Sequence, residues 1–293
     1  MAKIAWIGLG VMGAPMAAHL ATKGGYELNV YNRTEGKASA WIYKFGGLTS
    51  ATAEEAARGA DIVFCCVGND DDLREVTIGP NGAFNSIQEG ALFIDHTTAS
   101  ADVARELDQA LRAKQVGFLD APVSGGQLGA ENGMLTVMVG GEEKDFERGQ
   151  PLMEHFSKKI SLMGPAGAGQ LTKMVNQICA AGVIEALAEG LHFAEKADLD
   201  IPLVIETISK GAAQSWQMEN RWETMKDGKF DFGFAVDWMR KDLNICLDEA
   251  VRNGAQLPIT STLETWYGEI QEMGGGRWDT SSLIERLRRQ SKP

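Results

Sequence analysis

The sequence predicts an α/β chain in two parts, an N-terminal doubly wound sheet followed by an all-α C-terminal domain. Three observations carry this. Short β-rich runs alternate with helical stretches through the first half. A glycine-rich turn follows the first of those runs. After "GPAGAG" (164–169) the β-like runs stop and long helical patterns continue to the end. Taken in order, the runs are 3–10, 26–33, 61–68, 91–98, 117–124 and 135–141. Between them lie helix-like pieces such as "SADVARELDQALRAK", and such alternation implies βαβ units around a mostly parallel sheet. The expected boundary lies near Pro165, giving domains 1–165 and 166–293. A long helix over 168–191 opens the second part. Large aromatics dominate core energetics, so the tryptophans of the second half (Trp216, Trp222, Trp238, Trp266 and Trp278) are expected mainly in its core.

Composition excludes several classes. The 293 residues are 44% hydrophobic, enough for a sizeable core, and the net charge is −12. A nucleic-acid binder usually shows a basic face. Cys65, Cys66, Cys179 and Cys246 form no CxxC pair, and the four histidines show no ligand spacing. A disulfide framework or metal site is therefore not expected, and a reducing compartment fits. "MAKIAWIGLG" is no signal-peptide core, and no run is expected to reach transmembrane length. A cytoplasmic globular protein follows.

The glycines of "IAWIGLGVMGAPM" are Gly8, Gly10 and Gly13, in the GxGxxG pattern, at the end of a strand and the start of a helix. That context makes the pattern a Rossmann-type dinucleotide loop. Gly8 serves the tight turn, Gly10 the approach of a pyrophosphate and Gly13 the packing of helix on strand. Leu9, Val11 and Met12 complete the loop. An NAD-preferring fold usually carries an acidic residue at the end of the second strand. Here the strand ends in Asn32, Arg33 and Thr34, with Lys37 close behind. Asn32 removes the repulsion of a 2′-phosphate and Arg33 can pair with it, so NADP is expected over NAD, with NAD possible.

The 168–191 helix carries Lys173 and Asn176 close to its start, although both of its sides are apolar. Leu171, Met174, Val175, Ile178 and Gly182 form one stripe; Ala180, Ile184, Leu187 and Leu191 form the other, with Lys173 in line. A helix apolar on both sides is usually buried on both sides. A lysine in the first turns also opposes the helix dipole. It is poorly placed for stability, which leaves a snorkelling stem or a chemical role. A second cluster, Ser124, Gly125 and Gly126 of "DAPVSGG", falls at the C-terminal edge of the sheet, where doubly wound folds bind ligands. Consecutive backbone N–H groups beside a serine hydroxyl suit a carboxylate.

The ordered set GLGxMGxPM at 8–16, DAPVSGG at 120–126, the glycine–lysine–asparagine spacing around Lys173 and "KDL" at 241–243 resembles the β-hydroxyacid dehydrogenase family over essentially the whole chain. That family includes 3-hydroxyisobutyrate dehydrogenase and tartronate semialdehyde reductase. The resemblance implies that Lys173 is the catalytic acid/base. It implies that Ser124, Gly125 and Gly126 hold the substrate carboxylate, that Asn176 orients the substrate and that Lys241 lies near the nicotinamide. Thr98, with Val67 and Gly68, would contact the cofactor. Two positions depart from the usual pattern: Gly68 stands where many members have proline, and His96 replaces a small residue. The resemblance also implies a helical C-terminal domain that builds a homodimer or homotetramer interface.

The expected activity is NADP-dependent interconversion of a small β-hydroxyacid and its semialdehyde. The alternatives are NAD-linked oxidation of 3-hydroxyisobutyrate, L-serine or 3-hydroxypropionate, and, from another class, a catalytically silent NADP-binding module. Imine reductases share the architecture but generally lack the lysine.

Overall fold

The computed structural model describes residues 2–290. The chain divides into two compact units, Met1–Lys173 and Met174–Pro293. The division falls inside one helix, Ala168–Lys196, which runs past the expected 168–191.

The first unit is built on a nine-stranded sheet. Its strands are β1 (Ile4–Ile7), β2 (Leu28–Tyr31), β3 (Leu48–Thr49), β4 (Ile62–Cys65), β5 (Leu92–Asp95), β6 (Gly117–Asp120), β7 (Val123–Ser124), β8 (Leu135–Gly141) and β9 (Ser157–Gly164). The order 3-2-1-4-5-6 is parallel throughout. It continues through β8, antiparallel to β6 and to β7, and β9 then pairs parallel to β8. Every residue of β1, β4 and β5 is buried, as expected when helices cover both faces of a parallel sheet. Alternate residues enter opposite cores: Trp6, Phe64 and Ile94 on one face, Ile7, Cys65 and Phe93 on the other.

The expected runs 3–10, 26–33, 61–68 and 91–98 each pair over only four residues, whereas 117–124 divides into β6 and β7 and 135–141 is strand throughout. The residues that follow β1, β2, β4 and β5 leave the sheet as loops, and those loops carry many of the candidate residues. Two strands were not anticipated. β3 is only two residues long, and β9, "SKKISLMG", carries the exposed Lys158 and Lys159 instead of a continuous apolar run. Lysine on a terminal strand blunts pairing with other chains.

The second unit is helical. After the remainder of Ala168–Lys196 come Ile201–Ile208, Trp216–Lys226, Val236–Asn253, Pro258–Glu272 and Leu283–Gln290. Its core joins Ile184, Leu191, Met225, Met239, Leu243, Tyr267 and Leu283. Of the five tryptophans, Trp222, Trp266 and Trp278 pack on that core, whereas Trp216 and Trp238 are 51% and 39% exposed. The Arg221 guanidinium lies over the rings of Trp216 and Phe232, at 4.9 and 5.0 Å from their centroids. This accounts for part of the exposed aromatic surface.

One expectation needs correction. The helix Ala168–Lys196, at 29 residues, is long and apolar enough to cross a membrane by length and composition. However, it also buries Lys173, Gln177 and Glu185. Its apolar character on two sides accounts for its composition without a bilayer.

Candidate active site

The cofactor loop is shaped by steric limits that can be read atom by atom. β1 ends at Ile7, and Gly8 turns the chain at φ +94°. A Cβ on Gly8 would lie 2.2 Å from the Cys66 carbonyl oxygen, and one on Gly13 would lie 2.1 Å from the Gly8 carbonyl oxygen. Neither contact is tolerable. A Cβ on Gly10 would meet nothing within 4 Å. The middle glycine thus faces open space, as a loop that admits a pyrophosphate requires. The Trp6 indole N–H donates to the Gly8 carbonyl at 2.9 Å, and the Leu9 amide donates to Asn32 Oδ1 at 2.9 Å. Asn32 Nδ2 in turn donates to the Thr34 carbonyl. Asn32 therefore ties the end of β2 to the glycine loop. Val11 is exposed and Met12 half-buried, at the entry to the helix Gly13–Thr22.

Arg33, Thr34 and Lys37 lie exposed beside that loop. The Arg33 guanidinium is not idle: Nη1 is 2.7 Å from Asp72 Oδ1 and 3.7 Å from Glu75 Oε2. Those carboxylates come from the helix Asp70–Thr77, capped by Asn69.

The loops after β4 and β5 meet at Thr97. Its hydroxyl accepts from the Val67 amide at 3.0 Å, and its own amide donates to Asp95 Oδ1 at 2.9 Å. Val67, Gly68 and Thr98 remain half-buried around this junction. Burial pushes Asp95 up to about 7, against the hydrogen bonds from Thr97. His96, the departure noted above, is buried against Phe64, Trp6 and Phe156. Its Nδ1 lies 2.6 Å from the Ala121 carbonyl, which can only accept, so Nδ1 carries the proton. Burial pulls this imidazole down to about 4, and it is neutral at physiological pH. It packs and pins the end of β6.

Past β6, Ser124 is half-buried, and Gly125 and Gly126 are exposed with φ +133° and +63°. Two successive positive φ values require glycine and leave the turn's amides without side-chain cover.

Lys173 is 7% exposed, near the start of a long helix. That first turn is anchored by Asp120, whose Oδ1 accepts from the Gly167 amide at 2.7 Å and Oδ2 from the Gln170 amide at 2.8 Å. A carboxylate at a helix N-terminus is favoured by the helix dipole. Burial pushes Asp120 up to about 6, with the surrounding backbone amides holding it down. The Gln170 side chain donates to the Thr97 carbonyl at 2.7 Å and accepts from the Ala99 amide at 3.1 Å.

In the second unit, Asn176 Nδ2 donates to Gln177 Oε1 at 2.7 Å, and Gln177 Nε2 donates to Asp242 Oδ2 at 2.7 Å. Asp242 Oδ1 is 3.1 Å from Lys241 Nζ. Asn176 and Lys241 are thus the two ends of one polar chain. Lys241 Nζ also lies 5.9 Å from the Trp238 ring centroid.

Sequence reasoning found the loops but missed their fasteners: Asp120, Gln170, Gln177 and Asp242. A usable signal existed for two of them. Asp120 opens the "DAPVSGG" stretch, and Gln170 precedes Lys173 by three residues, on the same side of the helix.

Comparison with known proteins agrees with this geometry. Residues 3–164 match the family described as the NAD binding domain of 6-phosphogluconate dehydrogenase. Residues 167–287 match the NAD-binding family of NADP-dependent 3-hydroxyisobutyrate dehydrogenase. An uncharacterised oxidoreductase of Shewanella frigidimarina is 60% identical, over 98% of each chain. The 2-hydroxy-3-oxopropionate reductase of Escherichia coli is 36% identical, over 97% of each. Among solved structures, Mycobacterium tuberculosis 3-hydroxyisobutyrate dehydrogenase with L-serine superposes with a TM-score of 0.89 at 30% identity, over 98% of this chain and 99% of that one. The sequence motifs, the glycine loop and these matches lead to one conclusion: the chain is an oxidoreductase of the NAD(P)-dependent β-hydroxyacid dehydrogenase family.

Proposed function

We propose that this enzyme uses NADPH to reduce a small carboxylate-bearing semialdehyde to its β-hydroxyacid, with Lys173 as the acid/base. The observation that carries this is a lysine only 7% exposed at the start of a long helix. A buried amine close to a helix start, beside the cofactor-type loops of the same unit, suits a group that passes a proton to and from a small substrate. The residues around the glycine loop fit a dinucleotide, because Gly10 alone of the three glycines has room beside it.

When bound, the nicotinamide supplies or takes the hydride. The chain does the rest. Ser124 and the amides of Gly125 and Gly126 hold the carboxylate, which fixes the reacting carbon for transfer. Asn176 would orient the carbonyl and Lys241 would act at the nicotinamide end, as the family resemblance implies. In reduction, Lys173 Nζ gives its proton to the carbonyl oxygen as that oxygen becomes a hydroxyl; in oxidation the neutral amine takes the proton back. Thr98, Val67 and Gly68 line the cofactor. The loop Gly8–Gly13 receives the pyrophosphate, while Asn32, Arg33, Thr34 and Lys37 receive the adenosine 2′-phosphate. Reduction is the favoured direction because cells usually hold NADP reduced.

Residues 1–165 form the cofactor domain in this scheme and 166–293 the substrate and assembly domain. On the long helix, Val175, Val183 and Phe193 are 61%, 38% and 71% exposed. An apolar stripe of this kind is what a second copy would cover, and we place the enzyme as a cytoplasmic homodimer or homotetramer.

The test is Lys173→Ala. Turnover of the best substrate among tartronate, succinate and methylmalonate semialdehydes should fall about 10²- to 10⁴-fold, with NADPH affinity kept within a few-fold. Near-normal turnover would remove Lys173 from the chemistry. Tight NADPH binding by the parent, without turnover of any substrate in either direction, would favour the silent binding module.

A further inference from the structure

We propose that Gln170 is a positioning residue that sets Lys173 against the cofactor loop. This rests on Lys173 as the acid/base.

Gln170 is 1% exposed and lies one turn before Lys173. Its carboxamide uses both ends on one short segment. Nε2 donates to the Thr97 carbonyl at 2.7 Å, and Oε1 accepts from the Ala99 amide at 3.1 Å. The two bonds bracket Thr98, the residue expected against the cofactor. The Gln170 backbone amide is meanwhile held by Asp120 at 2.8 Å, at the end of the strand that leads to Ser124. One residue thus joins three segments: the loop carrying Thr98, the strand end before Ser124 and the helix carrying Lys173.

Close packing leaves no slack in this joint. A Cβ on Gly169 would lie 2.5 Å from the carbonyl oxygens of Asp120 and Met138. A Cβ on Gly140 would lie 2.8 Å from the Gly169 nitrogen. The helix therefore meets the sheet backbone to backbone, and the side-chain bonds of Gln170 fix how it is turned. Lys173 follows about 4.5 Å further along the axis, at 1.5 Å per residue. A misplacement of about 1 Å at a reacting group can cost roughly 100-fold in rate.

Two variants test this beside Lys173→Ala. Gln170→Met keeps the length of the side chain and removes both bonds. Its kcat should fall about 10- to 100-fold, with the NADPH Kd, read by fluorescence titration, kept within about two-fold. Gln170→Glu keeps the acceptor and restores the donor only when the new carboxyl is protonated. Its kcat relative to the parent should therefore rise as pH is lowered from about 9 to 6. A side chain needed only for folding would give no such recovery. The titratable groups on the bonded segments are Asp95, His96 and Asp120, with Lys173 one turn on, and all are common to both proteins, so the ratio isolates position 170.

A Gln170→Met kcat within two-fold of the parent, or a loss of NADPH affinity as large as the loss of kcat, overturns the assignment. Should Gln170→Met fail to fold, a pH-independent Gln170→Glu ratio overturns it alone. If Lys173→Ala retains turnover, the acid/base reading is what fails, and that outcome is separate from both.

Discussion

Replacing Gly10 and Gly13 one at a time by alanine should separate the fold from the cofactor site. The two glycines lie three residues apart in one loop, yet their surroundings are opposite. A Gly13 Cβ would lie 2.1 Å from the Gly8 carbonyl oxygen and 3.2 Å from Trp6 Nε1. That oxygen also accepts the indole N–H of Trp6, which is fully buried. Relief requires the first turn to move off β1, an overpacking cost of about 1–3 kcal/mol. At 2–4 °C per kcal/mol for a domain of this size, Tm should drop by roughly 2–12 °C. Gly10 has nothing within 4 Å of its would-be Cβ and no left-handed φ. Gly10→Ala should therefore leave Tm unchanged or raise it slightly, by up to roughly 1 kcal/mol through the unfolded chain. Its methyl would occupy the space left for a pyrophosphate, and NADPH affinity should fall at least 10-fold. Thermal unfolding without cofactor, and NADPH fluorescence titration, read the two effects separately. A Gly10→Ala protein that binds NADPH normally would refute the placement of the pyrophosphate.

Other outcomes follow from single contacts. Arg33→Ala should weaken NADPH about 10- to 100-fold, the worth of charge-assisted hydrogen bonds, and leave NADH nearly unchanged; equal effects on both would remove Arg33 from the 2′-phosphate site. Asp72→Asn removes the negative charge of the nearer of the two carboxylates beside Arg33, at 2.7 Å, so it should tighten NADPH and not NADH in the same titration. Burial, aided by the charge of Glu189, pushes Glu185 up to about 7, and neither of its oxygens has a hydrogen-bond partner among the described residues. A carboxyl raised in the folded state costs nothing below its unfolded value near 4.5, and its cost grows until pH passes about 7. The advantage of Glu185→Gln over the parent should accordingly grow by roughly 3 kcal/mol as pH rises through those limits in denaturant titrations, and a constant difference would show that the carboxyl is compensated. Val183→Glu should shift the assembly toward monomer in light scattering, and an unchanged mass would place any interface elsewhere.

Much of this site was legible in the sequence because its loops obey backbone rules. A strand followed by Gly8, Gly10 and Gly13 has few folded solutions, and consecutive Gly125 and Gly126 announce a turn. The strand runs were found for the same reason, since buried parallel strands read as continuous apolar segments. What escaped was long-range. Asp120 meets Gly167 and Gln170 across about 50 residues, and Gln170 meets Thr97 across 73. No local pattern distinguishes a buried carboxamide from an exposed one. β9 escaped because its pairing with β8, rather than its own polar sequence, makes it a strand. The Arg33–Asp72 pair was hidden in the same way, although each half sits in a motif that could be read alone.

The seam between the two units also bears on how such proteins can be recombined. Compactness divides the chain after Lys173, whereas the matched families divide between residues 164 and 167. The first six residues of the long helix, Ala168–Lys173, thus belong by contact to the sheet. A chimaera joined at Pro165 would set a foreign first turn opposite Asp120, the Thr97 carbonyl and the Ala99 amide, three buried groups that need the Gly167 amide, the Gln170 amide and the Gln170 side chain. A graft made beyond Lys173 keeps these fasteners, and the lysine proposed as the acid/base, with the first unit. Exchange at that later point passes the second unit between relatives with no buried group of the first left without its partner, whereas exchange at the visible loop does not.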